Sequence, residues 1–395
     1  MASVVYWLWL SAIKGVSVRT KYRLLEHLGS PEAIFFAEER AFRKLELSER
    51  EKKALDDKNL RTAKAIEKAC REGRIRILPF GDEEYPNCLR SISAPPMVLY
   101  VKGKLPDMDE EPSIAIVGTR KLTPYGRRIT EKLAYELAGA GITVVTGLAE
   151  GIDSAAAQAA LNAGGKVIGV LGSGVDIVYP AWNKKLFSET ELHGALVSEY
   201  PPGTRPSRSS FPERNRIISA LAHAVLITEA PEKSGALITA THALEQGKEI
   251  FAVPGNIDAP SAQGTNGLIK DGAIPATDTM DILREYSAVY PDKIDIRTFV
   301  KKPETQKEEA SQAVTPEAEA AQEPPWLEVQ LEQLSEDELK VVSAMGAESV
   351  HTDELTSSTG LPANRVIAAA TLLQIRGYIS QLPGGRFKLI ATFKK

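Results

Sequence analysis

Cysteine is almost missing from this chain. Cys70 and Cys88 are the only two among 395 residues. Two isolated thiols make neither a disulfide framework nor a metal-type spacing, and they fit a reducing compartment. The five histidines are scattered and form no HxxxH pair, so no metal site is expected. Charge of one sign is not in excess: 48 Lys and Arg stand against 52 Asp and Glu, for a net charge of −4. Any binding of anions must therefore rest on local patches. The N-terminal apolar run, MASVVYWLWLSAIKG, lacks a basic leader and a cleavage site and is too short to span a bilayer. It reads as the first helix of a small domain, with no membrane anchor and a cytoplasmic location. The GxGxxG fingerprint and the Walker A loop are both missing, which disfavours NAD and ATP; no cofactor is expected.

What is present divides the chain. A length of 395 residues, 43% hydrophobic and 25% charged, predicts two or three ordinary globular domains. Residues 1–75 show helical spacing of apolar residues, with Gly15 and Gly29 as punctuation. The stretch KGVSVRTKYRLLEHLG is similar to a helix-hairpin-helix turn, except that Ser17 stands where a second glycine is usual. Residues 76–112, rich in proline and β-formers, read as an extension carrying one or two short strands. From 113 onward, apolar runs alternate with helical stretches: SIAIVG, ITVVTG, KVIGVLG, ALVSEY, AVLITEA and EIFAVPG. That alternation predicts a Rossmann-like, doubly wound, mostly parallel α/β sheet over 76–290, with ligands at the carboxyl ends of its strands. Residues 291–330 are acidic and rich in Pro, Ala, Gln and Glu, which reads as a flexible linker. In residues 331–395, two helices about Gly360-Leu361-Pro362 precede a hairpin turned at Pro383-Gly384-Gly385, a winged-helix plan.

The strand ends hold the candidate site. Gly118, Thr119 and Arg120 follow the first long run and precede Pro124 at a helix start, so amides and arginine can face an anion there. TGLAEGIDSAAAQAA places Asp153 at another helix start, as a cap or as a residue shaping the site. RSSFPERNRIISA closes a long loop in which Arg205, Arg208, Arg214 and Arg216 meet only Glu213. Guanidinium groups take phosphates, Asn215 both donates and accepts, and Phe211 either stacks a base or plugs the core. Lys233, Ser234 and Gly235 open a further helix toward the same rim. Few groups on this rim could act as acid, base or nucleophile, so the pattern points to binding rather than catalysis.

Taken together and in order, IVGTRKLTPYG, TGLAEGIDSAAAQAAL, GSGVDIVYPAWN, SEYPPG, FPERNRIIS, EAPEKSGALITATHALEQGKEIFAVPG and GTNGLIKDGA resemble the DNA-processing protein A (DprA/Smf) family over about residues 75–290. The helical N-terminus, SAM-like or helix-hairpin-helix-like, and the winged-helix tail fit as well. The resemblance implies a protein that binds single-stranded DNA, protects incoming DNA in natural transformation and helps load the RecA recombinase. It also implies a homodimer through the Rossmann-like domain. Carried over by motif, Gly118, Thr119 and Arg120 form the phosphate-binding turn, Arg208 stands where a basic residue is usual, and Phe211, Arg214, Asn215 and Arg216 contact bases and phosphates. Two positions depart from the pattern: Glu150 replaces a common arginine and Ala157 a common histidine. Two alternatives remain. One is a Rossmann-like nucleotide phosphoribohydrolase, although VPGNIDAPSAQGTN lacks the expected glutamate spacing. The other is a duplex-binding regulator acting through the winged helix, although that tail is not strongly basic.

Overall fold

The computed structural model describes residues 3–294, 327–330, 334–345, 350–376, 378–382, 386–389 and 391–394. They fall into two compact units divided between residues 305 and 306.

The first unit opens with helices α1 (Val4–Ala12), α2 (Val18–Leu28), α3 (Pro31–Phe36), α4 (Glu49–Asp56) and α5 (Arg61–Glu72). Ser17 has a local reason to replace glycine. It caps α2, with its hydroxyl accepting the Thr20 N–H at 3.0 Å. Trp7, Leu8, Trp9 and Leu10 are buried in α1 and share one apolar cluster with one face of the sheet that follows.

That sheet has nine strands: β1 (Arg76–Pro79), β2 (Val98–Gly103), β3 (Ser113–Val117), β4 (Thr143–Thr146), β5 (Val167–Val170), β6 (Ala195–Ser198), β7 (Ala224–Ile227), β8 (Glu249–Ala252) and β9 (Ile274–Pro275). A single helical turn, α6 (Asn87–Arg90), separates β1 from β2 in the chain. The spatial order of the strands is β1-β2-β6-β5-β4-β3-β7-β8-β9. From β6 to β9 all neighbours are parallel, and β1 and β2 add an antiparallel edge beside β6. All six apolar runs of the sequence are strands. Both faces of the sheet are covered, which is why the runs are continuous rather than alternating. In β3, Ile114 and Ile116 face the cluster containing α7 (Pro124–Gly139), α8 (Ile152–Asn162) and α9 (Lys184–His193). Ala115 and Val117 face the cluster containing α10 (Ser210–Ala220) and α11 (Gly235–Glu245).

Chain order runs outward from β3 in both directions, through β4, β5 and β6 on one side and β7, β8 and β9 on the other. The switch point lies between β3 and β7. Neighbouring loops leave in opposite directions there, and a crevice opens at the strands' carboxyl ends.

The chain stays in this unit's core past residue 290. Ile294 is buried, its N–H bonds the Tyr290 carbonyl at 3.1 Å, and Lys293 Nζ bonds the Glu110 carbonyl at 2.6 Å. The linker expected over 291–330 therefore loses its first residues to the sheet domain. At its other end, Leu327–Gln330 form a strand parallel to Ala391–Lys394, because Leu327 and Val329 alternate with polar neighbours at strand period. The rest of that linker, 295–326, lies outside the described residues.

In the second unit, helices Glu336–Ala344, Thr352–Thr359 and Ala363–Ile375 pack on a sheet ordered Val350–His351, Arg386–Leu389, Ile379–Leu382. Gly360 takes a left-handed φ of 67° and ends the middle helix, as the Gly-Leu-Pro signal predicts. Ile379–Leu382 and Arg386–Leu389 pair antiparallel. The Pro383-Gly384-Gly385 turn between them lies outside the described residues.

Candidate nucleic-acid interface

A cleft of about 560 Å³ sits at the switch point. Its walls are the loop after β3 (Gly118, Thr119, Arg120), the start of α10 (Phe211, Arg214, Asn215) with Arg208 before it, and the start of α11 (Lys233, Ser234, Gly235). Ten of the eleven residues expected from sequence thus meet in one place. Tyr179, Ala149 and Asp153 complete the walls together with apolar residues of α10 and α11. Among the described residues four cations border the cleft, Arg120, Arg208, Arg214 and Lys233, against the single carboxylate of Asp153. The start of α11 adds the positive end of a helix dipole, with Ser234 as its cap.

The four cations are not equivalent. Arg120, Arg208 and Lys233 are exposed. Arg214 is buried, with 4% of its surface exposed. Its Nη1 donates to the carbonyl of Gly147, at the end of β4, at 2.9 Å and also to the carbonyl of Val170, the last residue of β5. Burial pulls this guanidinium down to about 10, opposed by the charge of Asp153, so it remains protonated at neutral pH. Burial likewise pushes the Asp153 carboxyl up, opposed chiefly by Arg214. Asp153 Oδ2 accepts the Gly147 N–H at 3.1 Å. Arg214 and Asp153 therefore meet through Gly147, one on its carbonyl and the other on its N–H, in one buried charged knot under the cleft that ties α10 to two strand ends. A Cβ at Gly147 would fall on the Arg214 guanidinium and force it to shift. Asp153 does not cap α8: Gly151 holds that position, and Asp153 lies in the first turn. Of its two sequence readings, shaping the site is the one the geometry matches.

Arg216 does not reach the cleft. It points away along α10 and pairs with Glu199 at 2.6 Å, both half-buried. Two helical positions separate the fates of Arg214 and Arg216, because residues two apart on a helix face different directions. Burial raises the Glu199 carboxyl, and the Arg216 pair opposes that rise.

The turn after β3 also differs from expectation. The amides of Thr119, Lys121 and Thr123 have internal partners. Thr119 N–H donates to the Glu229 carbonyl at 2.8 Å, and the Glu229 carboxylate takes both the N–H and the hydroxyl of Thr123, at 2.8 and 2.7 Å. The N-terminus of α7 thus faces buried Glu229, and Arg120 is the charged group that the turn brings to the cleft. Glu229 was missed by sequence reasoning; the signal was an acid directly after an apolar strand. Gly151, with φ at +93°, lets the next loop lie against Thr119 and Arg120, where a Cβ would strike backbone.

Phe211 is half-buried on the wall of the cleft and belongs to neither core cluster of the sheet. The Arg120 guanidinium lies 5.0 Å from its ring centroid, and the Tyr179 ring 5.7 Å away at 39°. Asn215 donates from Nδ2 to the Gly235 carbonyl at 3.2 Å, joining the two helix starts. Glu150 is exposed beside Arg120, and Ala157 is wholly buried in α8. Among the described residues no cluster of His, Cys, Asp and Glu could hold a metal ion, and no helix is long and apolar enough to cross a membrane.

The sequence model of the DNA recombination-mediator protein A family matches residues 76–287, and that of the DprA winged helix domain matches 316–385. Protein Smf of Synechocystis is 34% identical over 97% of this chain and 98% of its own. The crystal structure of DNA processing protein A from Streptococcus pneumoniae aligns with a TM-score of 0.62 at 32% identity, covering 72% of this chain and 99% of that one. DNA processing protein A of Helicobacter pylori, solved for its single-stranded DNA binding mode, aligns with a TM-score of 0.50 at 32% identity, covering 55% of this chain and 97% of that one.

Proposed function

The chain belongs to the DNA recombination-mediator protein A (DprA/Smf) family, and from that premise we propose that the switch-point cleft is where it binds single-stranded DNA. One observation carries the reading: among the described residues, exposed Arg120, Arg208 and Lys233 meet a partly exposed Phe211 ring in a cleft whose only carboxylate is buried. Cations of that kind take phosphates and the ring takes a base face, a combination that tolerates any sequence. Gly118, Thr119, Ser234, Gly235 and Asn215 set the backbone close to the strand, and Arg214 holds the floor beneath it. Arg216 supports the helix from its other side.

The same cleft binds rather than cleaves. Asp153, the acid described there, is spent on the Gly147 amide and on Arg214. Glycosidic cleavage would require a carboxylate free to reach the ligand. In line with the family, the protein acts in the cytoplasm, protects incoming strands in natural transformation, works as a homodimer through its Rossmann-like domain and helps load the RecA recombinase. The winged helix serves a partner rather than duplex DNA. In its helix Ala363–Ile375, Arg365 is held by Asp337 through two bonds of 2.8 and 2.6 Å, while Ile367 and Leu372 are exposed. A titration of labelled single-stranded and duplex oligonucleotides across a salt series tests the reading, with the full chain and a version lacking residues 330–395. Preference for the single strand, steep salt dependence and no loss on truncation are expected. Equal affinity for duplex, or loss of single-strand binding on truncation, would overturn it.

A further inference from the structure

Arg120 borders two clefts. Beyond the one described, a second of about 440 Å³ is walled by Arg127 of α7, Gln158 of α8 and the short helical turn Ala181–Asn183 with Lys185 after it. Trp182 stands in the middle of that turn with 70% of its surface exposed. An indole in water forgoes the largest apolar burial any side chain can make.

The turn that carries the ring is anchored. Asn183 Nδ2, next in the chain, donates to the Leu148 carbonyl at 3.2 Å and to Ser154 Oγ at 2.8 Å. Leu186 and Phe187 then anchor α9 in the core. Tyr179, three residues before Trp182, borders the first cleft beside Phe211. One short segment thus gives an aromatic ring to each cleft, and Arg120 is common to both.

The second cleft is mixed in charge. Arg120, Arg127 and Lys185 share it with Glu131 and Glu150, and Arg127 already pairs with Glu131 at 3.4 Å. A site with this balance is poor at holding phosphates alone. It suits a base lying on a ring, with the phosphate left on the Arg120 side.

We infer that the second cleft continues the path of the single strand, so that a nucleotide leaving the first cleft over Arg120 stacks its base on Trp182. This rests on the reading of the first cleft as the single-strand site. It adds a subsite whose contribution is stacking rather than charge, and that comes into play only with strands long enough to reach it.

Oligothymidylates of about 4 and about 12 nucleotides, spanning common single-strand site sizes, separate the two clefts. Trp182→Ala should weaken the longer strand about tenfold, within the range for one stacked base, while leaving the shorter within about twofold of the parent. The salt dependence should not change, and Trp182→Phe should restore most of the loss. Quenching of indole emission by the longer strand should vanish in the Trp182→Phe protein. If Trp182→Ala binds the longer strand like the parent while Arg120→Ala weakens both lengths, the first cleft stands and the Trp182 subsite is rejected. Equal weakening of both lengths by Trp182→Ala also rejects it, since the residue would then act on the first cleft. If Arg120→Ala leaves both lengths unaffected, the first-cleft reading fails and takes this inference with it.

Discussion

The Arg120 guanidinium lies 5.0 Å from the centroid of the Phe211 ring. The two residues come from opposite sides of the switch point, one after β3 and the other at the start of α10. Their pairing sets a guanidinium over an aromatic ring on the wall of the proposed single-strand cleft. Arg120→Ala should lower affinity for single strands of every sequence by about tenfold, or ~1.4 kcal/mol. It should also reduce the slope of log affinity against log salt by about 0.7, as expected when one phosphate is no longer neutralised. Phe211→Ala should cost about 1–3 kcal/mol of affinity with that slope unchanged. Anisotropy titrations at several salt concentrations read both quantities.

Arg214 borders the same cleft, yet its main effect should be on folding. Removing its guanidinium leaves the Gly147 and Val170 carbonyls without this donor and buried Asp153 without its chief opposing charge, at a cost of about 3–5 kcal/mol. Arg214→Ala should therefore lower the urea midpoint sharply, and adding Asp153→Asn to it should recover part of the loss. A variant as stable as the parent would show that the knot under the cleft is not structural.

Arg216 is the contrasting case. Paired with Glu199 and turned from the cleft, it should affect single-strand affinity by less than about twofold when changed to Ala, a factor below ~0.5 kcal/mol. The variant should still lose stability, because Glu199 then stays half-buried without a partner. A strong loss of binding with stability intact would place Arg216 on the DNA after all.

His223 sets an acid limit on stability. Burial, followed by the charge of Lys248, lowers its pKa from an ordinary 6.5 to about 4, and its Nδ1 lies 2.9 Å from Ser113 Oγ. Between these values the unfolded chain binds a proton that the folded chain does not. Stability therefore falls as pH drops from about 6.5 toward about 4 and is unaffected by this group above that window. His223→Gln should flatten that part of the curve in urea unfolding measured against pH.

The six apolar runs determined the parallel sheet, because strands buried on both faces must be continuously apolar, and that pattern is local. The glycine-rich and basic strand ends determined the rim in the same way. Residues 208–216 also carried their arginines in plain view, but as a string of letters they all read alike, as cations free to take phosphate. Tertiary structure divided them. Arg208 stays in water, Arg214 is buried under two strand carbonyls, and Arg216 turns back to Glu199. What decides among them is the angular step of a helix and the position of carbonyls and carboxylates brought in from β4, β5 and the end of β6. Those partners are 17 to 67 residues away in the chain. Local patterning records which residues are charged. Only the packed strands and helices fix what each charge meets.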